Sequence, residues 1–356
     1  MNATMTRLSV ALTLAIGSFS TLNQAAADPL PGRDLLKFSQ KPMVATPIPD
    51  VNGTVTTYGG HDELSTAYGF GQPGTTIPLY QGKFMADDFA DTLSSPVVHV
   101  KWWGSYFKDL INPAMPVDKF LISFESDVPQ GPNNPFSHPG TPLLNQVVFR
   151  NPLAPGSGTF TEKLIRGPDP VVNESLYEYN AELHLGKDFP EIKDTVYWLK
   201  IVALVDALPG MTFDPYNPQN SPIPITQWGW HNRDYTVNNP LASPAVAPGE
   251  QVVGVVGAGA PVWHFQDDSV QGDVRINTTT SGGLVMPFID QQNMVPQHYM
   301  DFADGPGVGT AASPPISAFS KDLAFELYTV NIPEPTSVAL LAMGMFGLAM
   351  RRKSVG

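Results

Sequence analysis

The chain has 356 residues, and its 20 Lys and Arg stand against 33 Asp and Glu, a formal charge of −13. That balance excludes a nucleic-acid backbone as partner, which needs clustered cations, and the absence of Cys excludes disulfides, thiolate metal sites and a cysteine nucleophile. With 31 Gly and 36 Pro beside 10% aromatic residues, the composition fits short strands joined by Pro/Gly turns rather than a disordered chain.

In chain order, Arg7 supplies a positive start, Leu8 to Ile16 an apolar run, and Ala25-Ala26-Ala27 a small-residue cleavage site. This pattern predicts a secretory signal peptide over 1–27 and a mature chain from Asp28. Residues 28–50 are Pro-rich and weakly patterned, and read as an extended lead-in. Strand signals begin with Thr54 to Tyr58 and continue through Lys83 to Phe89, Pro96 to Trp103, Phe120 to Phe124 and Leu143 to Phe149. Leu176 to Leu185 alternates, placing Tyr177, Tyr179, Ala181, Leu183 and Leu185 on one face. Thr195 to Val205 is almost continuously apolar, which predicts a central strand buried on both faces. Ile225 to Trp230, Gln251 to Val256, Pro261 to Phe265 and Leu323 to Val330 complete the set, while Asn277 to Ser317 reads as loop. The expected fold is one all-β, jelly-roll-like β-sandwich over 51–330 with long Pro/Gly-rich loops, and two smaller β domains split near 240–249 are the alternative.

Within that body lie Phe84 to Phe89, His99 to Tyr106, Tyr197 to Ile201, Trp228-Gly229-Trp230 and Trp263 to Asp268. Their order, from about Lys83 to Val270, resembles an uncharacterised β-sandwich domain of secreted bacterial and archaeal proteins, stretched here by loops such as Pro209 to Pro224. The resemblance implies a fold and no activity.

The C-terminal region reads Pro333-Glu334-Pro335, then thirteen uncharged residues from Val338 to Met350, then Arg351-Arg352-Lys353. As a helix the apolar run spans about 20 Å, short of the ~30 Å hydrocarbon core of a bilayer. It is therefore a marginal, transient inner-membrane anchor with its basic end cytoplasmic. This combination resembles the PEP-CTERM sorting signal, carried here by Pro333, Glu334, Pro335, Arg351 and Arg352. The resemblance implies a Gram-negative source, processing by the membrane protease exosortase near the Pro-Glu-Pro, and an association with exopolysaccharide and biofilm. Loss of both ends leaves 16 basic and 32 acidic groups, a body charge near −16.

Two constellations in the body point to ligands. The acid pairs Asp87-Asp88 and Asp267-Asp268 are a donor set for one structural Ca²⁺, which takes carboxylate and carbonyl oxygens, or else they cap turns. Trp103, Trp228, Trp230 and Trp263 could present rings for stacking on sugars, or else pack the core. His99, His231 and His264 lie near acids in sequence, but no hydrolase or metalloprotease motif surrounds them. The sequence thus predicts a non-catalytic exported envelope or biofilm-matrix protein that binds carbohydrate or exopolysaccharide. The alternative is a secreted carbohydrate-active hydrolase using a carboxylate pair such as Asp87 and Asp267.

Overall fold

The computed structural model describes residues 29–44, 46–49, 55–60, 62–70, 79–107, 116–151, 158–168, 175–207, 210–222, 224–234, 241–246, 249–251, 261–263, 269–281, 284–297 and 322–331. The expected signal peptide and the apolar helix over 338–350 lie outside them.

The described strands are, in order, β1 (Leu35–Gln40), β2 (Thr46–Pro49), β3 (Val55–Tyr58), β4 (Asp62–Leu64), β5 (Thr66–Phe70) and β6 (Leu79–Phe89). Next come β7 (Val97–Tyr106), β8 (Lys119–Val128), β9 (His138–Phe149), β10 (Thr159–Arg166), β11 (Leu176–Glu182) and β12 (Tyr197–Ala207). The chain continues with β13 (Trp228–His231), β14 (Gly249–Gln251), β15 (Pro261–Trp263), β16 (Val270–Ser281), β17 (Leu284–Pro296) and β18 (Phe325–Thr329). Among the described residues the sole helical element is a 3₁₀ turn, Pro218–Asn220.

The sheet folds into two facing layers. One runs β1-β18-β7-β11-β10, with β13 continuing the β18 side of β7 and β4 added beyond it. The other runs β9-β8-β12-β6-β16-β17, with β5 set between the ends of β12 and β6. A single parallel pair, Thr159 with Phe149, joins the layers at one corner. The molecule is therefore an all-β sandwich, as the Pro/Gly-punctuated strand pattern predicts.

Its main core lies between the layers. Trp102, Tyr179, Trp228, Trp230, Phe325 and Leu327 of one layer face Phe89, Phe120, Phe124, Leu199 and Ile201 of the other, all with their side chains out of water. A second core lies on the far face of β12, where Trp198, Val202 and Leu204 meet Phe84, Val274 and Ile276. So β12 is buried on both faces from Tyr197 to Leu204, as its continuous apolar run predicts. On β11 the predicted face holds: Tyr179, Ala181 and Leu183 are core, and Tyr177 packs against it. Leu185 falls beyond the strand, beside the turn at Gly186 (φ +76°), and is exposed.

Two expectations are corrected. The segment read as a lead-in contains β1, which pairs with β18 and puts Phe38 into the core. Asn277 to Ser317 is not all loop, since β16 and β17 form a hairpin with Ser281 opposite Leu284. Between them the sequence reads Gly282-Gly283, a two-residue hairpin signal that follows the polar Thr278 to Ser281. Because β16 pairs with β6, strands on both sides of 240–249 share one sheet.

Candidate functional site

The acid pair Asp87-Asp88 lies inside β6. Successive strand residues point to opposite faces, so the two carboxylates do not converge. Asp87 is fully buried. Its Oδ2 accepts the Leu323 N–H at 2.7 Å, and the Gln40 amide, oriented to donate, reaches the same oxygen at 2.9 Å. Burial first, and the nearby Asp322 carboxylate second, push the Asp87 carboxyl well above its ordinary range. A cation site needs ionised, converging oxygens. Asp87 and Asp88 do not fit Ca²⁺ as a set, and no group of three or more His, Asp or Glu among the described residues is placed to hold a metal. Asp267 and Asp268 lie outside the described residues. With Asp87 inside the core, it also offers no cleft-facing carboxylate for hydrolysis.

Among the described residues the tryptophan rings are buried. Trp228 and Trp230 share a face of β13, as expected for an extended segment, but that face is the interior. The Trp228 indole N–H donates to the Tyr179 hydroxyl at 3.1 Å, and the Trp230 N–H to the Ala324 carbonyl at 2.9 Å. Trp103 is buried on the opposite face of β7 with Leu176 and Ala324, and the Lys41 ammonium sits 5.7 Å from its ring centroid. A stacking platform needs an open ring face, and Trp103, Trp228 and Trp230 have none. The Trp263 side chain and His264 lie outside the described residues. His99 and His231 are buried with both ring nitrogens engaged. His99 contacts Glu182 and Asn180, and His231 contacts Asp62 and the Met43 carbonyl.

The surface instead offers a cleft that the sequence reading missed. The loop after β12 returns across β5 and β6, and Phe70, Gln81, Phe213, Asp214 and Tyr216 line about 310 Å³ of space. Phe213 is pinned by Phe70 (centroids 5.1 Å) and, edge-on, by Tyr68 (4.9 Å). The loop is shaped by its own Asp: Asp214 Oδ1 accepts the Tyr216 N–H at 2.9 Å and Oδ2 accepts the Asn217 amide at 2.6 Å. Those two donors, the Asn217 amide first, hold the exposed Asp214 carboxyl below its ordinary value, so it stays anionic. The Tyr216 hydroxyl reaches Gln81 Oε1 at 3.4 Å. Half-buried rings with a carboxylate and an amide at their edge offer both an apolar wall and directional acceptors. The signal lay in the Asp214-Pro215-Tyr216-Asn217-Pro218 turn, which reads from sequence only as a loop. A second cleft of about 250 Å³ opens at the seam between β9 and β17, walled by Leu144, Val147, Phe149 and Met286.

The chain's other functional element follows the last strand. β18 lies between β1 and β7, and its end at Thr329 is two residues from the start of the sorting motif at Asn331.

Residues 331–353 match the PEP-CTERM protein-sorting motif, which makes this all-β chain an extracytoplasmic protein sorted by exosortase at the cell envelope. The body, over residues 36–269, belongs to the family described as Domain of unknown function (DUF7901). The matched span starts at β1, earlier than the Lys83 suggested by the local signatures, which agrees with β1 being part of the sandwich. No curated protein and no solved structure matches the chain. Among the described residues no helix is long and apolar enough to cross a membrane, and 338–350 is not among them.

Proposed function

We propose that the mature chain is a non-catalytic protein of the envelope or extracellular matrix that binds neutral carbohydrate in the cleft of Phe70, Phe213 and Tyr216. The observation that carries this reading is the cleft's make-up: three aromatic side chains form its wall, and Gln81 and Asp214 supply hydrogen-bond acceptors for hydroxyls. The anionic Asp214 and the acidic body disfavour a polyanionic ligand by like-charge repulsion. Exosortase sorting supports the reading by delivering such a binder to the surface where polysaccharide is made.

The test is retardation of the purified chain in native gels cast with mannan, dextran or the producing cell's own exopolysaccharide. Retardation by one of them, weakened about tenfold or more by Tyr216→Ala or Phe213→Ala with melting temperature preserved, is the expected result. Retardation that both variants leave unchanged, or none in any gel, overturns the cleft assignment. Release of reducing ends from a retarding polysaccharide would instead establish the hydrolase.

A further inference from the structure

Three side chains unrelated to the cleft meet inside the sandwich near its first strand. Lys37 comes from β1, Asp91 follows β6, and Glu191 lies ahead of β12; none exposes its side chain. A bulge places the lysine. The β1–β18 register slips between Leu36 and Phe38, so Lys37 is the extra residue, and both it and Phe38 are buried where a regular strand would turn one outward. The neighbouring residues Phe38, Phe89, Ala90, Phe189 and Tyr197 belong to the main core.

Lys37 Nζ lies 3.3 Å from Asp91 Oδ2 and 2.8 Å from Glu191 Oε2, and donates to the Ser95 carbonyl at 2.5 Å. Asp91 Oδ1 accepts the Leu93 N–H at 2.7 Å. The rest is poorly matched. Asp91 Oδ2 and both Glu191 oxygens have no aligned hydrogen-bond donor, although the Lys37–Glu191 pair is within ion-pair distance. One cation faces two carboxyls in a medium where unpaired charge is costly, by several kcal/mol per ion.

We propose that Lys37 and Asp91 are joined by an intramolecular isopeptide bond, Nζ to Cγ, formed with Glu191 as the proton-transfer group. Starting from the form in which Glu191 is ionised, the lysine ammonium yields a proton to it, and the amine attacks Asp91 Cγ. Charge developing on Oδ1 is held by the Leu93 N–H, an oxyanion-hole arrangement. The Cγ–Oδ2 bond then breaks, and Oδ2 leaves as water with one proton returned by Glu191 and one from the nitrogen. One ammonium and one carboxylate become one amide and one water, with no oxidant or reductant. Burial, followed by the Asp91 charge, holds the Glu191 carboxyl at about 8, near enough to neutral for it both to take the lysine's proton and to return one to Oδ2. The product suits the cavity better than the ions do. The amide N–H keeps the Ser95 carbonyl, the amide oxygen keeps the Leu93 N–H, and two buried charges vanish. In an exported chain with no Cys, the bond would tie β1, and with it the tail-bearing β18, to the β6–β7 connection.

Denaturing mass spectrometry of the purified full chain tests this. The expected mass is one water below that of the sequence present, with a branched tryptic peptide joining Lys37 to Asp91. Glu191→Gln, which keeps both reacting residues, should restore the full mass, as should Lys37→Arg. A wild-type mass equal to the sequence overturns the proposal, whatever the variants do. So does a water loss found on an unbranched peptide, which would mean a cyclic imide at Asp91. A branched peptide that persists in Glu191→Gln removes Glu191 from the step.

Discussion

The Asn331 N–H donates to the Gly32 carbonyl at 2.8 Å, so the first residue of the sorting motif is fastened to the chain's entry into β1. The tail thus leaves directly from the fold. Just upstream, Leu323, Ala324, Phe325 and Leu327 are fully buried. Burying each large apolar side chain is worth about 1.5–3 kcal/mol, and a domain's whole stability is only about 5–15 kcal/mol. Truncation after Asn331 should therefore leave the melting temperature of the purified body unchanged, whereas truncation before Asp322 should give an unfolded or insoluble chain. A folded, cooperative body without β18 would contradict the topology. Intact mass of the mature protein from its host should likewise show β18 retained and Arg351-Arg352 gone.

Gly104 explains one local signature. A Cβ there would come 2.4 Å from the Gly229 carbonyl oxygen and 2.4 Å from the Trp228 ring. β7 and β13 pair at this point, with Trp230 opposite Gly104. Backbone and a core tryptophan cannot both withdraw, so Gly104→Ala should destabilise by about 1–3 kcal/mol through overpacking. Chemical denaturation read by tryptophan fluorescence measures it, and a loss below ~0.5 kcal/mol would mean that the two strands are less closely apposed.

How much of this was legible follows from where the chain has a clean period. β12 and the Tyr179-Ala181-Leu183 face of β11 declare themselves through apolar content and alternation, because their burial is set by neighbours on both sides. β1 did not, because the bulge at Lys37 breaks its alternation and places a cation inside. β16 ends in Thr278-Thr279-Thr280-Ser281, whose β-branched backbone preference is masked by polar composition. For the site, composition could find Asp87 and Trp228 but not their direction. Facing is decided by register and by which layer covers which, and register placed Asp87 against Leu323 and Trp228 against Tyr179. The cleft rests on an Asx-turn loop folding back on β5 and β6, a long-range contact with no local periodic trace.

Lys200 and Glu125 form an ion pair at 2.6 Å with neither side chain exposed, under the β16–β17 hairpin. Gln291 of β17 closes it, donating to Glu125 Oε2 at 3.0 Å and accepting from Lys200, whose Nζ lies 4.2 Å from the Phe84 ring centroid. Burial lowers the lysine's proton affinity, and Glu125 opposes that. Lys200→Met strands a buried carboxylate and should cost about 3–5 kcal/mol, whereas adding Glu125→Leu should recover much of the loss. A double variant less stable than Lys200→Met would show that the pair is a net stabiliser.

The pH response of stability has a definite sign. Asp87 is held well above its ordinary range by burial and then by Asp322. Unfolded, that carboxyl titrates near 4, so above that value the folded chain binds a proton that the unfolded chain has released. Stability then falls as pH rises, because it declines wherever the native state holds more protons. The contribution is fully present below about pH 4 and is lost as pH rises through the raised folded value. Urea midpoints taken from pH 5 to pH 9 should therefore decrease. Opposing carboxylates, such as Glu326, which its hydrogen bonds to Lys41 and Tyr328 hold below its ordinary value despite burial, reach their full contribution near pH 5 and do not reverse the trend above it. Asp87→Asn carries a neutral group at every pH, and its midpoints should fall less steeply than wild type over that range. Parallel slopes for the two proteins would mean that Asp87 is ionised in the fold at neutral pH.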